Sequence, residues 1–282
     1  MTVISEVRKL FGRGRRGARA ARRPVVVDDG RLLQLRGEVW ERGWGEVVTF
    51  DGLTVRVTDG PNFYMQYKDE FVQGVYHFDA TRRNPRILDG GANIGMSALC
   101  WKRTYPAAEI VSFEPDPAVF TLLQENLAAN GLTGVELVNA GLGPRAGRFA
   151  FNPDQSAGGQ IELVESAEGV RVEKLSDYLH ERVDLLKLNI EGLELDVLRE
   201  AADAGRLRNI DEIVLEYHGW PGQPQRLGEL LVLLEREGFR YLLHDFDAET
   251  CAATKPPFHL QRGTTWFCLV YAKRDDLVRK DR

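Results

Sequence analysis

The run Ile87-Leu88-Asp89-Gly90-Gly91-Ala92-Asn93-Ile94-Gly95 sets an acid and three glycines after a short apolar stretch. Phe113-Glu114-Pro115-Asp116 then sets a second acid, Glu114, 25 residues beyond Asp89. Glycines let backbone approach a ligand, and an acid ending the neighbouring strand accepts hydrogen bonds from ribose hydroxyls. The pair therefore points to a nucleoside-bearing cofactor. A dinucleotide fingerprint needs a middle glycine against the pyrophosphate, and here Asn93 stands in that place. Asp89 adds a charge argument. A carboxylate facing a cation is favourable, whereas one facing a pyrophosphate costs energy. That favours S-adenosylmethionine, which carries an ammonium and a sulfonium but no phosphate, over a nicotinamide dinucleotide. No G-x-x-x-x-G-K-[ST] string marks a P-loop.

Gly91 and Asn93 are expected at the methionine end of the cofactor or in the glycine turn, with Asp89 nearby, Gly95 also binding the cofactor and Glu114 on the ribose. Asn139, just beyond a third strand, is placed to border the same pocket. Tyr67 and Glu70, one helical turn apart, are placed to close over it from upstream. Asp116 before Pro117 reads as a helix N-cap. No metal-ligand set emerges, since His77 and Asp79 lack a third ligand at a convincing spacing.

These residues need elements to hold them. From Arg86 the pattern alternates strand and helix: strands at 87–88, 109–113, 135–138, 183–190 and 210–217, helices at 94–105, 118–129, 193–200 and 225–237. The run 183–190 is nearly all apolar, as a parallel strand covered on both faces should be. Two strands, 239–243 and 264–272, follow with no helix between them, so the last is open to antiparallel pairing. Residues 149–172 are less regular, with Ser156-Ala157-Gly158-Gly159 reading as a mobile loop. Upstream, Val25 to Val57 reads as a small antiparallel β extension, with a hairpin turn at Asp51-Gly52. Phe63, Tyr67, Phe71, Val75 and Phe78 form a stripe fitting one or two helices. The chain divides into a basic flexible tail (1–24), a β-hairpin and helical cap (25–80) and a catalytic domain (81–282).

At 282 residues the chain can bury a full α/β core. Its net charge of -5 hides an asymmetry: Arg8 to Arg23 holds eight Lys/Arg and no acid. The rest, apart from Glu6, carries 29 basic and 41 acidic residues. An acidic body argues against nucleic-acid binding, which draws on clustered positive charge. No stretch approaches the ~20 apolar residues of a membrane span. Cys100, Cys251 and Cys268 show no CxxC spacing, so free thiols and a cytoplasmic location are expected. Strand edges in the N-terminal segment leave homo-oligomerisation open.

Three segments resemble the FkbM-like S-adenosylmethionine-dependent O-methyltransferases. They are Asp89 to Gly95, Phe113-Glu114-Pro115, and Leu186-Lys187-Leu188-Asn189-Ile190-Glu191-Gly192-Leu193-Glu194. Tyr67, Glu70 and Phe71, continuing to Gly74-Val75-Tyr76, and Glu216-Tyr217-His218 extend the likeness over roughly residues 63–271. The resemblance implies a Rossmann-like class I methyltransferase fold: an α/β, mostly parallel seven-stranded sheet with helices on both faces, here with an N-terminal β/helix extension. It also implies methyl transfer to a hydroxyl of a small-molecule natural product or sugar moiety. One departure is Asn189, where the family usually has an aspartate; an amide neither ionises as a base nor binds a metal cation strongly.

Transfer of a methyl group to oxygen needs alignment of donor and acceptor and often removal of the hydroxyl proton. His218 is the natural base or acceptor-positioner, since it ends an apolar strand where open α/β sheets place ligands. Glu191 is expected to face the same crevice, and Glu216 to orient His218 or the acceptor hydroxyl. Glu194 suits the first turn of a helix without a catalytic task, and Lys187 reads as structural. Methylation of an amine or amide nitrogen is the alternative, with an NAD-dependent dehydrogenase behind it.

Overall fold

A computed structural model describes residues 29–153, 158–244, 257 and 259–278. The basic tail, Cys251 and Phe258 lie outside the described residues, as do Ser156 and Ala157 of the expected loop.

Seven strands form the central sheet: β3 (Arg86–Gly90), β4 (Glu109–Phe113), β5 (Val135–Val138), β10 (Val183–Leu188), β11 (Ile210–Gly219), β12 (Phe239–His244) and β13 (Trp266–Arg274). Their order is β12-β13-β11-β10-β3-β4-β5. All neighbours pair in parallel except β13, which runs antiparallel between β11 and β12. The open question about the last strand is thus answered: β12 and β13 pair antiparallel, and β13 inserts beside β11.

Strand alternation feeds two cores. Ile87, Ile110, Leu185 and Val214 join Ala98 and Trp101 of α3 (Met96–Thr104) on one face. Their neighbours Leu88, Val111, Leu186 and Leu215 join α5 (Glu194–Asp203) and α6 (Leu227–Arg236) on the other. Both faces are therefore covered, as the unbroken apolar strands required. α4 (Pro117–Ala129) follows β4, and Asp116 caps it as expected, accepting from Ala118 N at 2.8 Å.

Two segments depart from the sequence reading. Residues Asp29–Val39 form a helix, α1, rather than part of a β extension. Leu32, Leu35 and Val39 recur at helical spacing and pack on one core. The hairpin itself is present, β1 (Val47–Phe50) and β2 (Leu53–Arg56), with Asp51 and Gly52 at positive φ in its turn. The irregular stretch after β5 is a four-stranded sheet, β6 (Gly141–Leu142), β7 (Gly147–Asn152), β8 (Gln160–Glu165) and β9 (Val170–Glu173), ordered β6-β9-β7-β8.

The expected aromatic stripe builds α2 (Gly60–Gln66) and a π-helix over Tyr67–Gln73. Phe63, Tyr67 and Phe71 stack in succession, with ring centroids 6.3 and 5.7 Å apart, and Phe50 meets all three edge-on. They share a core with Ile94, Met96, Leu99, Val119 and Leu122, so the N-terminal segment is packed directly onto α3 and α4. Among the described residues no helix is long and apolar enough to cross a membrane.

Candidate active site

The chain leaves β3 toward β4 and β5 on one side, and returns through β10 and β11 on the other. That reversal between β3 and β10 opens a crevice at the strand C-termini, the general ligand position in open α/β sheets. A cavity of about 340 Å³ lies there.

One wall is the glycine turn. Gly91 N and Ala92 N donate to Phe113 O at 3.0 and 2.9 Å, drawing the turn onto the end of β4. A Cβ on Gly91 (φ +77) would fall 1.8 Å from the Asn189 carbonyl oxygen, so backbone passes backbone where no side chain fits. Asn93, at φ +48, takes the left-handed conformation that asparagine tolerates. Its N–H donates to Glu114 Oε2 at 2.9 Å, and Asp116 N donates to Glu114 Oε1 at 2.9 Å. Each oxygen keeps a lone pair for a ligand. Burial pushes the Glu114 carboxyl up to about 7, against the pull of its two N–H partners.

Asp89 lies below this wall and does not line the cavity. It is fully buried, accepts from Ser97 Oγ at 2.7 Å, and pairs with the Lys187 ammonium at 3.1 Å. Its countercharge is therefore a lysine of the protein, and the expectation that it faces a ligand cation is corrected. Gly95, at φ +93, opens α3, where Leu123 and Leu127 press against it. Asn139 donates to Glu114 O at 2.9 Å and fixes the end of β4 from outside the cavity.

The N-terminal segment supplies a second wall: Asn62, Met65, Gln66, Asp69 and Glu70. Gln66 Nε2 donates to Asn93 Oδ1 at 2.9 Å, joining the segment to the glycine turn. Glu70 meets the cavity as expected, with Oε2 buried and without a hydrogen-bond partner. Burial above all holds its carboxyl well above the usual carboxylate range. Tyr67 points the other way, into the aromatic stack, and its hydroxyl donates to Asp51 at 3.2 Å. Its packing orients the π-helix that carries Asp69 and Glu70.

Opposite the turn stand Lys187, Asn189, Glu191 and Glu216. Asn189 Nδ2 donates to Glu216 Oε2 at 3.2 Å. Glu191 is held at φ +59, a conformation costly for a non-glycine residue and typical of functional sites. Two side chains hold that turn: Glu194 Oε1 accepts from Ile190 N and Gly192 N, both at 3.2 Å, and Trp220 Nε1 donates to Glu191 O at 3.1 Å. His218 sits behind this wall, 8 % exposed and absent from the cavity lining. Its ring meets Glu194, Glu191 and Glu216 at 3.2, 3.5 and 3.6 Å. Burial opposes its charge, but those carboxylates outweigh it and hold its pKa well above the ordinary range.

The structure thus gathers Glu70, Gly91, Asn93, Glu114, Asn189, Glu191 and Glu216 around one cavity, and leaves Tyr67, Asp89, Gly95, Asn139 and His218 behind its walls. The sequence reading missed Asn62, Gln66 and Asp69. Their signal is a polar face at helical spacing, opposite the aromatic stripe. Gly141, Leu142, Phe151 and Ile161 of the smaller sheet complete the cavity; no local motif marks them.

Six acidic side chains line this cavity, those of Asp69, Glu70, Glu114, Asp116, Glu191 and Glu216, with one lysine against them. That lysine is already engaged, with Asp89 and with the carbonyls of Gly90 and Gly91. An acidic pocket with an unpartnered buried carboxyl oxygen suits a cationic ligand, which would favour ionisation of that carboxyl. Among the described residues no three His, Cys, Asp or Glu side chains are arranged as a metal site.

The family model of the methyltransferase FkbM domain matches residues 89–241. The methyltransferase sdnD of Sordaria araneosa is 32% identical over 213 residues, covering 61% of this chain and 80% of that protein. The 31-O-demethyl-FK506 methyltransferase FkbM of Streptomyces tacrolimicus is 28% identical over 228 residues, covering 67% of this chain and 86% of that protein. The crystal structure of a methyltransferase FkbM from Methylobacillus flagellatus KT aligns at 16% identity and a TM-score of 0.45, covering 86% of this chain and 59% of that one.

Proposed function

The chain belongs to the FkbM methyltransferase family, and from that premise we propose that it moves a methyl group from S-adenosylmethionine to a hydroxyl of a small-molecule natural product or sugar moiety. The observation that carries this reading is the acidic lining of the cavity, six acidic side chains against one engaged lysine, of which a bound cation would favour the ionised forms. S-adenosylmethionine is a cation at its reacting end, whereas a dinucleotide would set its pyrophosphate among those carboxylates. Glu114 accepts from the ribose hydroxyls with the lone pairs its backbone partners leave free. Asp69 and Glu70 face the ammonium, and Gly91 and Asn93 give the ligand close approach to backbone. When bound, the cofactor supplies a methyl group activated as a sulfonium for in-line displacement.

The acceptor's proton passes to Glu191, the cavity carboxylate carried on a strained backbone. Glu216, fixed by Asn189, accepts a hydrogen bond from the acceptor and orients it. Asn189 therefore serves as a donor that aims a carboxylate, a task for which an amide suffices. Oxygen as the accepting atom is supported by the Streptomyces relative, whose name specifies a 31-O-demethyl substrate.

Calorimetry with S-adenosylhomocysteine and with NAD tests the donor. Binding of the first and not the second is expected, and equal affinity would sink the reading. Incubation with methyl-labelled S-adenosylmethionine and a panel of polyhydroxylated acceptors tests the transfer. Label recovered on nitrogen rather than oxygen would replace the acceptor half.

A further inference from the structure

We propose that His218 is a fixed imidazolium that positions Glu191 and Glu216 on the acceptor wall, and that it never receives the acceptor's proton. The inference rests on the methyl-transfer reading for the location of that wall, but its evidence is the geometry of the ring itself.

Glu216 and His218 lie two residues apart on β11 and share a face of the strand. Nδ1 of His218 lies 3.2 Å from Glu194 Oε1, while Nε2 lies 3.5 Å from Glu191 Oε2 and 3.6 Å from Glu216 Oε1. Both ring nitrogens thus face carboxylate oxygens, which only accept hydrogen bonds when ionised. A neutral imidazole has one N–H, so its other nitrogen would turn a lone pair on a carboxylate. Ionised carboxylates on both sides favour the doubly protonated ring, which sets an N–H toward each. Glu194 is locked as an acceptor, because the same Oε1 already takes the N–H groups of Ile190 and Gly192.

Aromatic residues complete the enclosure. Trp220 stacks on the ring at 5.5 Å with planes 3° apart, and Phe267 of β13 approaches at 6.1 Å. The indole face favours a cation. Among the described residues, three carboxylates and two aromatic rings face His218. The raised pKa of the ring agrees with this arrangement. A ring that keeps both protons and lies outside the cavity lining cannot be the base. It can hold Glu191 and Glu216 as carboxylates facing the cavity, and leave proton acceptance to Glu191.

Histidine-selective NMR on the full-length protein tests the assignment, with the His218 signal identified by its loss in His218→Gln. Replacing the other four histidines (His77, His180, His244 and His259) gives the same assignment if that variant does not fold. His218 is expected to keep a doubly protonated ring well above the midpoint of an exposed histidine, which titrates near ~6.5. Titration of His218 at or below that ordinary midpoint would overturn the proposal. Loss of the cation in His218→Gln is expected to add a protonated-carboxyl infrared band at neutral pH that a further Glu191→Gln or Glu216→Gln removes. Absence of that band would overturn the positioning role. Calorimetry with S-adenosylhomocysteine separates the two readings. Binding together with an ordinary His218 titration overturns this inference alone, and no binding with a non-titrating His218 overturns the donor reading alone.

Discussion

The Lys187 ammonium lies 3.1 Å from Asp89 Oδ1, between residues in direct register on β10 and β3, and the side chains are 4% and 0% exposed. The same ammonium donates to Gly90 O at 3.2 Å and Gly91 O at 2.5 Å. One buried cation thus neutralises the acid that opens the glycine motif and holds the motif's backbone from beneath. Two of the three sequence segments that carry the family resemblance meet in this contact, through residues 98 positions apart.

Lys187→Met should therefore destabilise the fold. It leaves Asp89 as an uncompensated buried charge and takes the ammonium's hydrogen bonds from the Gly90 and Gly91 carbonyls, of which Gly90 keeps the Asn189 N–H, a change that costs roughly 3–5 kcal/mol. Adding Asp89→Asn should recover part of the loss. Urea unfolding of the single and double variants measures both, and a single-variant loss below about 1 kcal/mol, the range of exposed pairs, would contradict a buried-pair role.

Gly91→Ala should abolish cofactor binding. Its methyl group would need the space 1.8 Å from the Asn189 carbonyl, at a positive φ, so either the turn or the end of β10 must move. Calorimetry with S-adenosylhomocysteine reads the loss directly. Retained affinity would mean that the turn is not the ligand cradle.

Glu114→Ala should weaken S-adenosylhomocysteine by about 10- to 100-fold, the equivalent of losing charge-assisted hydrogen bonds of roughly 1.5–3 kcal/mol. Unchanged affinity in the same titration would remove Glu114 from the ribose.

Glu114 also gives a pH signature. Its folded pKa is raised to about 7 from an ordinary 4.5, chiefly by burial. The unfolded chain therefore ionises first, and the native state loses relative stability as pH rises between those values. The contribution is fully present below about 4.5 and gone above about 7. The stability difference between wild type and Glu114→Gln, followed by urea midpoints across that window, should fall with rising pH. A flat difference would mean the carboxyl ionises alike in both states.

Glu191→Gln should lower kcat by about 10²- to 10⁴-fold, the usual yield of a positioned base. S-adenosylhomocysteine binding should change far less, because the variant keeps the side chain's shape. Radiolabelled methyl transfer with any accepted substrate measures the first, and an unaltered kcat would exclude Glu191 as base.

Much of this was legible from residue order. The glycine turn, the acid at the end of β4, the Asp116 cap and the hairpin at Asp51-Gly52 each depend on a few neighbouring residues. The alternation of strands and helices from Arg86 also survives in the structure. Harder to read were α1, whose Leu32, Leu35 and Val39 lie among glycines and charges, and the smaller sheet, whose strands are short and half exposed. Their register comes from packing against the central core.

The sequence by itself determined the family, the glycine turn and the set of acids available to the cavity, because motif identity and local backbone conformation follow from neighbouring residues. Tertiary structure alone decided which charges meet. Asp89 finds Lys187 through the register of two strands, Glu70 enters the cavity because an aromatic stack turns its π-helix, and His218 is enclosed by carboxylates from other segments. Burial makes each of these meetings decisive, since a charge out of water takes its protonation state and its role from its nearest partners.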